Sequence, residues 1–324
     1  MKISGKKFVV TGGAGFIGSQ VVKLLLKAGA SEVVIFDNLS RGSLNNITES
    51  LKDGRCYLFK DGGDIRDVEL LNAAFSNANG VFHLAALWLL HAKDYPRSAF
   101  DVNVQGTFNV LEACVKNEIS KVVFSSSASV YGTPIKTPIE ESHPLNGRNF
   151  YGSTKIAGES MFTAFYDRYG TKFVGLRYMN VYGEFQDQKG AYSGVIPNIF
   201  NKIFEKQVPV IFGDGTQTYD FITSFDVARA NLLAMESDIE EGFYNVGTGV
   251  PTTIKELCNE IYSLFNLEPI TRFTPYSKVD LRQLVQYRVG STEKAKEELN
   301  FMYQESLRVG LSKLLKWRIE NNLN

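Results

Sequence analysis

The sequence predicts an α/β chain: a doubly wound parallel sheet with a smaller C-terminal lobe. Short apolar runs without polar alternation recur through the first half, the mark of strands buried on both faces. Stretches with apolar residues at helical spacing separate these runs. A glycine-rich turn joins the first strand to the first helix. Strand–helix repetition of this kind winds into one sheet through right-handed crossovers.

The elements follow in order. Lys7–Thr11 (KFVVT) is a β-rich run stopped by glycines, and Ile17–Lys27 takes up helical spacing. Glu32–Phe36 (EVVIF) reads as the second strand, Cys56–Phe59 as the third and Gly80–Leu84 (GVFHL) as the fourth. Lys121–Ser125 and Phe173–Arg177 are the fifth and sixth. Helices are expected over Val68–Phe75, Ser98–Asn117 and Ser153–Tyr169. Past Tyr182 the rhythm breaks, and Gly, Pro and aromatic residues punctuate Gly183–Phe221. Phe243–Val246 (FYNV) reads as a strand returning to the sheet. Thr253–Phe265, Ser291–Leu299 and Glu305–Glu320 read as amphipathic helices. Residues 1–182 are expected to form the first domain, revisited at about 222–247. Residues 183–221 and 248–324 are expected to form the lobe.

Composition narrows the function. Lys+Arg and Asp+Glu are 35 each, for a formal net charge of +0. No charge bias draws the chain to nucleic acid or to an anionic membrane, so an anionic ligand must be held locally. The longest apolar stretch, around Leu84–Leu90, is far short of the ~20 residues that cross a bilayer. Met1–Val10 has no apolar core of signal-peptide length, and a cytoplasmic location is expected. Cys56, Cys114 and Cys258 are widely spaced, with no CxxC, and read as apolar fillers. His83, His91 and His143 are scattered, so no metal site is expected.

The glycine turn is the first sign of chemistry. Gly12, Gly15 and Gly18 stand in a GxxGxxG pattern, with Phe16 and Ile17 opening the helix. Such glycines permit a tight turn and close approach to a pyrophosphate, which the helix N-terminus attracts, as in a Rossmann-type site. Asp37, followed by Asn38, ends the second strand roughly 20 residues beyond the turn, where an acid accepts from ribose hydroxyls. That carboxylate repels a 2′-phosphate, so NAD is expected rather than NADP. Asp64 is placed to meet the adenine amine, with Ile65 against the ring; a helix cap is the competing reading of Asp64. Leu84, Ala85 and Ala86 follow the fourth strand, where small residues let a nucleotide lie on the backbone.

Tyr151 and Lys155 are four residues apart on one helix face. A neighbouring ammonium lowers a phenol whose ordinary pKa is ~10. Ser125, Ser126 and Ser127 end the fifth strand and face the same crevice by the strand-end rule.

Together these residues resemble the extended short-chain dehydrogenase/reductases, most closely the NAD-dependent nucleotide-sugar 4-epimerases of the UDP-glucose/UDP-N-acetylglucosamine type. Leu176–Gly183, Gly190–Pro197 and Phe212–Thr218 match later segments of that family. The resemblance implies Tyr151 as proton acceptor from the sugar 4-hydroxyl, Ser127 as its hydroxyl partner, and Lys155 on the nicotinamide ribose and tuning Tyr151. It implies Asn103, Ser125 and Tyr178 beside the cofactor. It places Asn180, Val195, Phe212 and Tyr219 around a nucleotide-diphosphate sugar. Trp88-Leu89-Leu90-His91, unusual after Leu84-Ala85-Ala86, is read as a candidate wall of the sugar pocket, with loop packing as the competing reading, and Arg282 as a candidate holder of the diphosphate. The resemblance also implies a homodimer built on the helices Ser98–Asn117 and Ser153–Tyr169. Ala128 and Ser129 stand where related dehydratases carry an acid pair, which favours epimerisation over dehydration. Tyr219 and Ser277 stand where the family presents phosphate-binding arginines, with Lys278 and Arg282 nearby. That departure keeps open a C4 oxidoreductase or a C3/C5 epimerase on another nucleotide sugar, such as a GDP-linked one. A cofactor-binding regulator without catalysis is the reading furthest from the intact Ser127, Tyr151 and Lys155.

Overall fold

The computed structural model describes residues 1–60, 62–186, 194–276 and 285–323. The first half runs β1 (Lys7–Thr11), α1 (Phe16–Lys27), β2 (Glu32–Phe36), α2 (Leu44–Ile47), β3 (Cys56–Leu58), α3 (Val68–Phe75) and β4 (Gly80–His83). It continues through α4 (Leu89–Asp94), α5 (Pro96–Phe100), α6 (Thr107–Lys116), β5 (Lys121–Ser127), α7 (Phe150–Tyr169), β6 (Phe173–Tyr178) and β7 (Asn180–Tyr182). Then come α8 (Val195–Phe204), β8 (Val210–Phe212), β9 (Thr218–Tyr219), β10 (Phe221–Thr223), α9 (Ser224–Glu236) and β11 (Phe243–Val246). The chain ends through β12 (Thr252–Thr253), α10 (Ile254–Leu264), β13 (Arg272–Thr274), β14 (Tyr287–Arg288) and two further helices, Glu293–Leu299 and Leu307–Glu320.

Seven strands form the main sheet in the order β11-β6-β5-β4-β1-β2-β3. Every pairing in it is parallel. The order reverses between β1 and β4, and the crevice beyond the strand C-termini there is where a doubly wound sheet binds ligands. Alternate side chains enter two cores. Phe8, Val10, Val33, Ile35 and Phe82 pack with Val21 and Leu25 of α1 and Val227 of α9. Val9, Val34, Phe36, Val81 and Phe124 pack with Leu71 of α3, Leu111 of α6 and Phe162 of α7. Each such side chain, fully buried, contributes about 1.5–3 kcal/mol. This double burial explains the unalternated apolar runs of the sequence.

A third core joins Tyr182, Ile196, Phe200, Phe221, Leu257 and Leu311. Two buried carboxylates brace the segments around it. Asp220 accepts from Thr248 N, Thr248 Oγ1 and Gly249 N at 2.6–2.9 Å. Asp226 accepts from Gln304 N and Glu305 N. The three cysteines are buried and free, as fillers are. No helix among the described residues is long and apolar enough to cross a membrane.

One helix departs from its periodicity. The helix expected over Ser98–Asn117 is α5, a π-helical stretch Asp101–Gly106, and α6 in succession. Side-chain demands account for the altered winding: Asn103 is tied to the loop after β4, and Thr107 Oγ1 donates to the Asn103 carbonyl at 2.7 Å. Such π stretches cluster at functional sites.

His83, at the end of β4, fastens this region to the sheet. Its Nδ1 lies 2.8 Å from Thr11 Oγ1 and its Nε2 3.0 Å from Thr107 Oγ1. Since the Thr107 hydroxyl already donates to Asn103, Nε2–H is the donor to Thr107 and Nδ1 the acceptor. Burial, with Lys155 nearby, pushes the imidazole down to about 3 from 6.5. The unfolded chain therefore takes up a proton that the folded chain refuses, and stability falls as pH drops from 6.5 toward 3. The expected slope from this one group is about 1.4 kcal/mol per pH unit. Urea unfolding between pH 7 and pH 4 should show a shallower acid loss for His83→Gln than for the wild type; equal slopes would refute the assignment.

Candidate active site

The glycine turn is shaped by contact as well as by conformation. Gly12 has φ +71°, and a Cβ there would lie 2.8 Å from the Ala85 amide nitrogen. A Cβ on Gly18 would lie 2.1 Å from the Gly12 carbonyl. Gly15 precedes α1 with no side-chain cap, so the first N–H groups of the helix are left for a ligand. Asp37 accepts from Ala14 N at 2.9 Å and Leu39 N at 2.8 Å, which holds its carboxylate against the turn. Burial raises its pKa against those two bonds. This cradle, which added side chains would fill, fits the pyrophosphate and ribose of a dinucleotide.

From the turn a cavity of about 860 Å³ runs across the strand ends. It brings together many of the residues singled out in the sequence: Gly12, Gly15, Phe16, Ile17, Gly18, Leu84, Ala86, Trp88, Ser125, Ser127, Tyr151, Lys155, Tyr178, Asn180 and Val195. Asp37, Asn38, Asp64, Ile65, Ala85, Asn103, Phe212 and Tyr219 are not in its wall. Asp64 is paired with Arg66 at 2.5 Å, and Asn38 reaches it at 3.5 Å. Ile65 is buried in the second core. Asn103 is a bracket: it binds Leu87 N and O at 2.7 and 2.8 Å and Thr154 Oγ1 at 3.1 Å, joining the loop after β4 to α7. Phe212 is 54% exposed and stacks on Tyr276. Ser277, Lys278 and Arg282 lie outside the described residues, as do 190–193.

At the cavity floor the reactive groups are held by local structure. Asn149 caps α7 by accepting from Gly152 N at 2.8 Å, so α7 starts at Phe150 and Tyr151 sits in its first turn. One turn on, Lys155 donates to the Ser125 carbonyl at 2.7 Å and lies 5.7 Å from the centre of the Tyr151 ring. Burial pulls the Lys155 ammonium down to about 8, opposed by Glu159. Burial pushes the Tyr151 phenol up to about 12, opposed by a hydrogen bond from Ser127. Ser127 Oγ is itself fixed by Ser129 N at 3.1 Å. Ser125 bonds Tyr178 Oη at 2.8 Å, and Tyr178 bonds Asn231.

Behind this floor lies a buried ion pair. Glu159 meets Arg177 through two bonds, Oε1 to Nε at 2.9 Å and Oε2 to Nη2 at 2.7 Å, with side chains 3% and 5% exposed. Ser126 donates to Glu159 at 2.5 Å. Arg177 goes on to Tyr131 Oη at 2.9 Å, and Tyr131 to Asn245 at 2.7 Å.

Sequence reasoning missed part of the wall. Arg41 lies 5.1 Å from the centre of the Trp88 ring, and both line the cavity. His91 is on α4 in the same wall. Arg288 lines the cavity too, as do Phe185, Gln186, Ile196 and Phe221. Nothing in the sequence around it signals this, because its strand is only two residues long. Among the described lining residues there is no carboxylate, while Arg41, Lys155 and Arg288 bring three cations. The arrangement suits ligands with several negative charges.

Comparisons with known proteins agree with this geometry. Residues 8–247 match the model of the NAD dependent epimerase/dehydratase family. A UDP-glucose 4-epimerase of Halalkalibacterium halodurans is 36% identical over 267 residues, 77% of each chain. The structure of a UDP-N-acetylglucosamine 4-epimerase of Methanobrevibacter ruminantium in complex with UDP-N-acetylmuramic acid has a TM-score of 0.91 at 32% identity, covering 98% of this chain and 99% of that one. A UDP-glucose 4-epimerase of Thermotoga maritima with UDP-glucose has a TM-score of 0.89 at 32% identity, covering 98% and 100%. With the glycine cradle, the parallel sheet and the tyrosine–lysine floor all inside the matched span, the chain belongs to the NAD-dependent epimerase/dehydratase family and is an NAD-dependent enzyme of it.

Proposed function

We propose that the protein is a nucleotide-sugar 4-epimerase acting through a transient 4-keto sugar, with a UDP-linked sugar as substrate. The observation that carries this is the Ser127–Tyr151–Lys155 cluster at the floor of a cavity whose described wall holds no carboxylate. Tyr151 accepts the proton of the sugar 4-hydroxyl, and Ser127 holds that hydroxyl. Lys155 keeps positive charge near the phenol and binds the nicotinamide ribose. NAD, when bound, supplies the acceptor and donor of the C4 hydride. Gly12, Gly15, Phe16, Ile17 and Gly18 hold its pyrophosphate, and Asp37, once its carboxylate turns to the ligand, the adenosine ribose. Ala128 and Ser129 supply no acid for expelling water, which supports return of the hydride to the other face of the sugar. The lobe of residues 183–221 and 248–324 covers the nucleotide, with Trp88, Asn180 and Val195 beside the sugar. The exposed Phe100, Phe108 and Tyr169 fit the homodimer face that the family resemblance implies.

Proton NMR in D₂O with NAD⁺ and UDP-glucose or UDP-N-acetylglucosamine tests this reading. The expected product shows inverted H4 coupling and no deuterium. Deuterium at C3 or C5, or no conversion of either sugar, would overturn it.

A further inference from the structure

We infer that Arg288 clamps the phosphate of the substrate nucleotide, an assignment that rests on the nucleotide-sugar reading above. Arg288 is the second residue of β14, which pairs in parallel with β9 and sets Arg288 opposite Tyr219. Its backbone is locked, since its carbonyl accepts from Asp220 N at 3.1 Å and Asp220 is fully buried. Arg288 lines the same cavity as the glycine turn. There its Nε is sealed from solvent and has no hydrogen-bond partner.

A guanidinium with a sealed, unpaired nitrogen is costly to keep in a protein wall. Here no carboxylate of the described wall relieves it, and the neighbouring Tyr219 is a phenol. A ligand group entering the cavity supplies a partner for the guanidinium that the described wall does not. Arginine offers a planar fork of N–H donors that matches phosphate oxygens in pairs. The first turn of α8 opens on the same cavity, since Gly194, Val195 and Ile196 line it and α8 carries no side-chain cap. The three cations of the wall divide accordingly. Arg41 stacks on Trp88 at the glycine-turn end, Lys155 is held at the floor, and Arg288 is left for the second ligand. In this chain Tyr219 leaves its place uncharged, and the strand beside it delivers the charge at the same register.

Titration calorimetry of the NAD-loaded protein with UDP, UMP and uridine tests the assignment. Arg288→Met is expected to weaken UDP by about 30-fold and uridine by less than about 3-fold, since a charged hydrogen-bonding group is lost only where phosphate is present. Arg288→Lys should recover part of the UDP loss, because the charge returns without the fork. Equal UDP affinity of wild type and Arg288→Met would overturn the inference and leave the epimerase reading standing. So would an equal loss for all three ligands, which marks a structural role. Failure of the wild type to bind UDP at all would overturn the nucleotide reading and this assignment with it. Should Arg288→Met fail to fold, the Arg288→Lys ratio of UDP to uridine affinity decides the case by the same rule.

Discussion

Turnover by Tyr151→Phe is expected to fall by about 10³-fold or more, with bound NAD unchanged. The phenyl ring keeps the packing of the first turn of α7, so the loss isolates one oxygen atom. That oxygen is bonded by Ser127 and lies on the helix face of Lys155. Burial sets its pKa at about 12 in the ligand-free protein, too high for a base at neutral pH. Positive charge must therefore come closer when ligands bind, and Lys155 is the resident source. Wild-type kcat/KM should rise with pH through an acidic limb that Tyr151→Phe lacks. Retention of more than a tenth of turnover would remove Tyr151 from the chemistry.

The second large effect is on stability. Glu159→Leu is expected to cost about 3–5 kcal/mol, because it strands the buried Arg177 charge. Its carboxylate serves Arg177 twice and Ser126 once, and its side chain is 3% exposed. The double variant Glu159→Leu, Arg177→Met should recover much of the loss, since it removes both charges. Urea unfolding of the NAD-loaded protein measures both variants. A single-variant cost below about 1 kcal/mol would show that Arg177 finds another partner. Ser126 precedes Ser127 on β5, so the pair also steadies the residue beside the tyrosine.

The parts of this molecule visible in the sequence are those where one local signal meets no competitor. The strands Lys7–Thr11, Glu32–Phe36 and Phe243–Val246 have the expected bounds, because apolar runs end at turn residues. Tyr151, Lys155 and Ser127 were legible through spacing and strand ends, and they share one cavity. The π stretch at Asp101–Gly106 was not, because its cause lies in partners far along the chain: Leu87 for Asn103 and His83 for Thr107. Arg288 escaped for a different reason. A two-residue strand carries no periodicity, and its meaning comes from the register with Tyr219.

The distribution of charge in the cavity also governs how ligands arrive. The chain as a whole carries no net charge, so at long range it exerts little pull on an anion. Attraction is confined to the cleft, whose described wall carries three cations and no opposing carboxylate. At physiological ionic strength screening sets in over about 8 Å, so the pull acts only at short range. Added salt should therefore slow the association step for phosphorylated ligands and leave the chemical step, sealed at the floor, almost untouched.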